Sequence, residues 1–315
     1  NPFESETQLL FAARALNRPI GVPIILAGLK EGKFSENRDV KQVAEWISRV
    51  GKPDDLNTLF EYALSEKSAP EQQNAILQAL SSAGSLRKMQ PTGDKNRLTR
   101  FLKSENVSIF SNAATLAGQW KLTTTRPELE AAFLDAAKNE SRARAALEGL
   151  QKLGGGETAK FLDGIAGDKN ASFQLRSLAV IGRTRANPKA GAAIALPVLR
   201  DAPGGKDPHG IFDTFLANKQ GTIELTTLLN REKLPELVAL TGVQKGNPHR
   251  GETIYRRMSL QCVVCHAIGG AGGIIGPDLV SIGSSAPVDY LVNSLLLPSD
   301  KIKEGYHTTL VTLKN

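Results

Sequence analysis

The chain contains two cysteines, and they lie three positions apart with a histidine directly after the second: Cys262, Cys265 and His266. Each thiol can add across one vinyl group of a haem, the sulfur bonding to one vinyl carbon and the thiol hydrogen passing to the other. The adjacent imidazole is then held where it can ligate the iron from the proximal side. Because the C-x-x-C-H spacing is typical of covalent c-type haem attachment, we predict one covalently bound haem c with His266 as the proximal iron ligand.

Two other uses of the cysteines stay open, and each requires further structural partners. A zinc site usually takes four ligands, and apart from the motif itself only His249 and His307 lie nearby in the sequence. A thioredoxin-like redox pair requires a βαβ context, and no such pattern precedes Cys262. We therefore favour haem attachment over both.

A helical segment precedes the motif and a Gly-Pro-x-Leu segment follows it. Residues 251–258 have the pattern of a short amphipathic helix, and Gly276, Pro277 and Leu279 lie downstream. This arrangement resembles the class I cytochromes c, in which the proline turns the chain so that its carbonyl accepts the Nδ1–H of the proximal histidine. The resemblance implies that these three downstream residues bind the haem together with the motif.

The resemblance extends over the last 70 residues of the chain. The further segments that carry it are Gly251-Glu252, the glycine-rich 269–273, the proline-closed helix pattern at 290–298 and the turn at 302–306. They resemble the haem-binding domain of planctomycete and verrucomicrobial proteins, which often follows helical repeats. The resemblance implies an exported electron-transfer module, commonly joined to or encoded with a sugar- or alcohol-type dehydrogenase built on a β-propeller.

Class I cytochromes c place a methionine on the distal side of the haem, well downstream of the motif. The two methionines of this chain, Met89 and Met258, both precede the motif, and we expect Met258 to be a core residue of the helix before it. The final segment, 310–315, has the pattern of the first strand of a hairpin. We therefore expect a haem-binding domain that is incomplete, with its distal methionine beyond Asn315.

Two alternatives to a methionine ligand stay open. His307 is the second candidate for the distal ligand. A five-coordinate iron would instead permit peroxidase, gas-binding or sensor chemistry. The leading expectation is an electron carrier that accepts electrons from a periplasmic dehydrogenase and passes them to another redox protein. A haem enzyme or sensor, or the cytochrome part of a larger propeller-type dehydrogenase, is the alternative.

The first 245 residues contain glycines at a steady interval of 31 to 34 positions. Each follows an apolar stretch rich in alanine and leucine, so we predict that these glycines end helices. Second helices are predicted to begin at Pro53 and Pro127, with proline in the first turn. Helix pairs that repeat every 30-odd residues indicate an α-solenoid, and the pattern resembles HEAT repeats. The glycines are Gly51, Gly84, Gly118, Gly149 and Gly182.

These patterns predict an all-α chain with three parts. Residues 1–200 form a HEAT-like solenoid, 201–245 a helical linker or last repeat, and 246–315 a class I cytochrome c-like domain. Aromatic residues make up only 5% of the sequence, and this scarcity also favours helices over a sandwich or barrel. We expect the solenoid to serve as a docking scaffold for redox partners.

The formal net charge is +7, and the last 70 residues contribute little to it, with six basic and five acidic residues. The excess is spread thinly over the first 245 residues rather than gathered in a stripe, so we expect no nucleic-acid partner. No apolar run approaches the roughly 18 residues of a membrane span. The first residues lack a signal-peptide pattern. Since haem c is attached outside the cytoplasm, we expect a bacterial periplasmic or otherwise exported protein in mature or trimmed form.

Overall fold

The computed structural model describes residues 8, 21–34, 36–201, 208–231, 246–258, 260–296, 302 and 304–305. These residues are mostly helical, which confirms the prediction of a mostly helical chain. The chain divides into two compact units, 1–202 and 203–315. Within the described ranges, no helix is both long and apolar enough to cross a membrane.

The first unit is built from helices joined by short connections. Two 3₁₀ turns, Lys95–Leu98 and Thr123–Thr125, lie among them. The helices are α1 (Val22–Lys30), α2 (Asn37–Val50), α3 (Pro53–Leu64), α4 (Pro70–Arg87), α5 (Thr99–Leu102), α6 (Val107–Gln119), α7 (Arg126–Leu134), α8 (Glu140–Leu153), α9 (Gly155–Gly167), α10 (Phe173–Ala186) and α11 (Pro188–Arg200).

The second unit contains shorter helices and one small hairpin. Its described elements are α12 (His209–Leu216), α13 (Lys219–Arg231), α14 (Pro248–Tyr255), α15 (Cys262–Cys265), β1 (Ala267–Ile268), β2 (Ala271–Gly272), α16 (Ile282–Ser285) and α17 (Val288–Leu296). The strands β1 and β2 are antiparallel, and Ala267 is paired with Gly272.

Alternate helices of the first unit form a continuous row. Helix α2 packs on α4, α4 on α6, α6 on α8, and α8 on α10. The intervening helices pack beside this row: α3 against α4, α7 against α8, and α9 against α10. Each helix therefore buries its apolar face mainly against neighbours that are close to it in the chain.

Local sequence signals set the helix starts. Pro53 and Pro70 are the first residues of α3 and α4, where the missing proline N–H costs no hydrogen bond. Asn106 and Asn139 precede α6 and α8, and their side chains accept backbone N–H groups of the first turn. The predicted start at Pro53 is confirmed, and the start predicted at Pro127 lies one residue late, since α7 begins at Arg126.

The prediction that the periodic glycines end helices is wrong for four of the five. Gly51 follows α2 directly. The other four lie inside the helices of the row, one each in α4, α6, α8 and α10: Gly84, Gly118, Gly149 and Gly182. Helix α8 ends instead at Gly154, whose φ of 71° is the backbone conformation that favours glycine.

Close approach of neighbouring helices explains why glycine occurs at these positions. A Cβ atom at Gly149 would lie 2.7 Å from the carbonyl oxygen of Ala114 in α6. A Cβ atom at Gly182 would lie 2.6 Å from a methyl group of Leu147 in α8. The interval of 30-odd residues therefore marks repeated helix-to-helix contacts rather than repeated helix ends.

The core of the first unit contains an aromatic cluster from three different helical segments. Phe60 is fully buried, and its ring meets that of Trp120 edge to face with the centroids 5.5 Å apart. The ring of Phe101 lies tilted to that of Phe60, with the centroids 6.5 Å apart. Edge-to-face aromatic pairs of this kind add about 0.5–1.5 kcal/mol beyond the burial of their area.

The second unit buries fewer apolar side chains. In α12 and α13, Ile211, Phe215, Leu225 and Leu228 are buried. Among the described residues from 246 onward, Ala267 is the one buried side chain of the core. The prediction that Met258 belongs to the core is wrong: α14 ends at Tyr255, and Met258 lies beyond it with 70% of its surface exposed.

Candidate functional site

The motif cysteines form a single helical turn. Helix α15 runs from Cys262 to Cys265, and the His266 N–H donates to the Cys262 carbonyl at 2.9 Å. Gln261 enters the turn with a left-handed φ of 57°, and His266 leaves it in an extended conformation. Both cysteines are half-buried free thiols. Since residues three apart on a helix share one face, the two thiols lie on the same side of the turn.

The imidazole of His266 is oriented by the downstream proline segment. Its Nδ1 lies 2.9 Å from the Pro277 carbonyl oxygen, so the contact expected for this pair is present. A carbonyl oxygen only accepts hydrogen bonds, so Nδ1 must carry the hydrogen. The lone pair of the neutral ring is then on Nε2, the nitrogen that remains able to bind a metal ion.

Gly276 lies close to this ring. A Cβ atom there would be 2.6 Å from Cε1 and 2.7 Å from Nδ1 of His266. The Gly276 N–H also donates to the Cys265 carbonyl at 2.7 Å. Leu279, the last residue of the Gly-Pro-x-Leu segment, is half-buried, and its N–H donates to the Ala267 carbonyl at 2.7 Å.

Tyr255 is a site residue that the sequence patterns did not single out. It is the last residue of α14, and its hydroxyl donates a hydrogen bond to the backbone carbonyl of His266 at 2.7 Å. The available signal was an aromatic residue with a polar tip inside the predicted helix 251–258, a residue type that needs a hydrogen-bond partner when buried.

The glycine-rich segment after His266 forms the β1–β2 hairpin, which the sequence patterns did not predict. Gly269 and Gly270 make its two-residue turn, with φ values of 61° and 81°. Two positive φ angles in succession define a type I′ turn, which matches the twist of the flanking strands. The Gly273 N–H then donates to the Val263 carbonyl at 2.9 Å, which returns the chain to the motif turn.

Asp278 connects this hairpin to the proline segment. Its carboxylate accepts the backbone N–H groups of Val280 at 2.8 Å, Gly270 at 2.8 Å and Gly269 at 3.0 Å. The hydrogen bonds from Val280 and Gly270 hold the pKa of this carboxyl below its ordinary value, because they favour the charged form.

Apolar side chains around the motif point to solvent. Ile274 and Ile275 are 93% and 70% exposed, and they lie between two residues whose N–H groups bond to the motif turn. Val280 is 64% exposed. The helices α14, α15 and α16 bury no side chain fully.

These features fit a haem c. Two thiols lie on one turn, an imidazole presents Nε2, and the surrounding side chains are apolar enough to contact a porphyrin. Haem brings four of the six iron ligands itself, so the protein needs only axial ligands. Among the described residues, no three or more His, Cys, Asp or Glu side chains converge into a group that could hold a metal ion.

The predictions for the distal ligand concern His307, the segment 310–315 and the methionines of the chain. His307 and the segment 310–315 lie outside the described residues. Met89 belongs to the first unit. No family model, curated protein or solved structure matches the chain.

We expect Gly276→Ala to loosen the site locally. The added methyl group would overlap the His266 ring, so the ring or the Pro277 segment must move. Overpacking of this kind costs about 1–3 kcal/mol. Hydrogen exchange at the Leu279 amide should report a fall of that size in the local opening free energy.

Gly251→Ala is the matched control for this variant. A Cβ atom at Gly251 meets nothing within 4 Å, and the residue lies within α14. The substitution should leave the Leu279 amide unchanged. Equal exchange rates in the two variants would contradict the packing of Gly276 against the imidazole.

Proposed function

We propose that this chain is an electron carrier with a covalently attached haem c. The observation that carries the proposal is the 2.9 Å hydrogen bond between His266 Nδ1 and the Pro277 carbonyl oxygen, beside two thiols on one helical turn. This bond leaves Nε2 as the ligating nitrogen and fixes the plane of the ring, as expected for a proximal haem ligand.

The chain's own residues have separate tasks in this proposal. Cys262 and Cys265 hold the haem through thioether bonds, which prevent its loss. His266 supplies the axial nitrogen, kept in place by Pro277 and by the Tyr255 hydroxyl. When bound, the haem iron supplies the one-electron chemistry by cycling between Fe(III) and Fe(II).

We propose further that residues 1–200 form a HEAT-like α-solenoid that serves as a docking scaffold. Support comes from the row of helices and from polar side chains that join successive members of it. Asn112 in α6 donates to Asn74 in α4 at 2.8 Å. Gln151 in α8 donates to the Gly182 carbonyl in α10 at 3.0 Å. Repeats that contact mainly their neighbours offer extended surfaces to partners.

The partners in this proposal are redox proteins. A periplasmic dehydrogenase would donate electrons, and a cytochrome or another carrier would accept them. An exported location follows from the proposed haem c, because its attachment takes place outside the cytoplasm.

Expression in a bacterial host with periplasmic haem-attachment machinery tests the proposal. The protein should keep its haem after extraction with acid acetone and should give a c-type pyridine haemochrome spectrum. Haem that passes into the acetone, or a spectrum without the c-type signature, would show that the proposal is wrong. Turnover of hydrogen peroxide with a reduced cytochrome as electron donor would favour a haem enzyme instead.

A further inference from the structure

The segment that carries Pro277 is joined to the chain around His266 by a series of hydrogen bonds. The Gly276 N–H donates to the Cys265 carbonyl, and the Leu279 N–H donates to the Ala267 carbonyl, both at 2.7 Å. These two bonds flank the contact between the imidazole and the Pro277 oxygen. The position of that oxygen therefore depends on how firmly the two segments are held together.

Among the described residues, Asp278 makes a second side-chain connection between these segments, in addition to the contact of the His266 imidazole with the Pro277 oxygen. Its carboxylate accepts the Val280 N–H on its own segment. It also accepts both N–H groups of the hairpin turn that follows His266, at 3.0 Å from Gly269 and 2.8 Å from Gly270. The positive φ angles of these glycines direct two successive N–H groups towards one carboxylate.

We propose that Asp278 is a positioning residue for the His266 ligand, acting through the carbonyl of the adjacent Pro277. The inference rests on the proposed function, because its consequence is for haem ligation. The Pro277 carbonyl oxygen belongs to the peptide group that joins Pro277 to Asp278. Because the Asp278 carboxylate is hydrogen-bonded to the hairpin turn, it also restrains the position of this oxygen. Without this carboxylate, the Pro277 segment keeps its two backbone bonds to the motif region and the imidazole contact itself, but loses its hydrogen bonds to the hairpin turn.

The reduction potential depends on this positioning. A hydrogen bond from Nδ1 to a carbonyl oxygen makes the imidazole more basic, so Nε2 becomes a stronger donor to the iron. Stronger donation favours Fe(III) and lowers the potential. A longer or more mobile contact should therefore raise it, and should expose the Nδ1–H to exchange with solvent.

The test compares Asp278→Ala, Asp278→Asn and Glu252→Gln in the haem-loaded protein. Both Asp278 variants remove one negative charge, but the asparagine oxygen can still accept N–H groups, whereas alanine cannot. Glu252→Gln removes a surface carboxylate on α14 and leaves the Pro277 segment intact, so it reports the effect of charge alone. The measurements are the reduction potential and the solvent exchange of the His266 Nδ1–H by NMR.

We expect the potential to rise most in Asp278→Ala, less in Asp278→Asn and least in Glu252→Gln, with Nδ1–H exchange faster in the same order. Equal potentials in the two Asp278 variants, with unchanged Nδ1–H exchange, would overturn the inference and leave the proposed function standing. If Asp278→Ala does not fold, Asp278→Asn must still exceed Glu252→Gln in both measurements. A wild-type protein without covalent haem would overturn the proposed function itself.

Discussion

Replacing both Cys262 and Cys265 by serine is expected to abolish covalent haem attachment. The thiolate is the nucleophilic form of cysteine, and a serine hydroxyl does not form the thioether bond. His266 and its contact with Pro277 remain in this variant, so any haem that it binds should be extracted by acid acetone. Haem staining after denaturing electrophoresis and the pyridine haemochrome spectrum measure the loss.

Single substitutions and a control on the same turn make this result specific. Cys262→Ser and Cys265→Ser should each keep one thioether bond and give a shifted haemochrome band. Val263→Ser changes a half-buried residue between the two thiols and should keep both bonds. Covalent haem in the double variant would show that the cysteines are not the attachment site.

Replacing Gly149 by valine is expected to destabilise the first unit by about 3 kcal/mol, at the upper end for overpacking. The Cβ atom would lie 2.7 Å from the carbonyl oxygen of Ala114 and 3.2 Å from the carbonyl carbon of the same residue. Both are backbone atoms of α6. A helix backbone cannot move aside as a flexible side chain can, so α6 and α8 must separate. Urea unfolding followed by tryptophan fluorescence measures the effect, because Trp46 and Trp120 both lie in the first unit.

Gly164→Val is the matched control for this effect. Gly164 lies inside α9, and a Cβ atom there would meet nothing within 4 Å. The same change should therefore alter the free energy of unfolding by less than about 0.5 kcal/mol, the usual range for surface substitutions. Similar unfolding midpoints for the two variants would refute the close helix contact at Gly149.

Short-range patterns in the sequence determined the parts of this protein that depend on neighbours in the chain. Pro53 marks the start of α3, because proline suits the first turn of a helix. The spacing of Cys262 and Cys265 already placed two thiols on one turn. The helices predicted before and after the motif are present as α14 and α17. Each of these features follows from residues within about one or two helical turns of each other.

The contacts that complete the site could be predicted only in part. The resemblance to class I cytochromes c implied the contact between His266 and the Pro277 carbonyl, eleven residues away. It implied nothing about the hydroxyl of Tyr255 or the carboxylate of Asp278. Both are common residue types with many possible partners. Folding of the hairpin at Gly269 and Gly270 brings the turn within reach of Asp278, and Tyr255 reaches the His266 carbonyl from the end of α14.

The periodic glycines show most clearly the difference between what local sequence patterns predict and what the tertiary structure decides. Their interval predicted a repeat, but a glycine after an apolar stretch fits either a helix end or a close helix contact. The sequence patterns favoured the first. The tertiary structure decided for the second at Gly118, Gly149 and Gly182, and it places Gly84 inside a helix as well. The physical reason is that the need for glycine comes from atoms of a neighbouring helix in the row, roughly 30 residues away in the chain, which no local pattern contains.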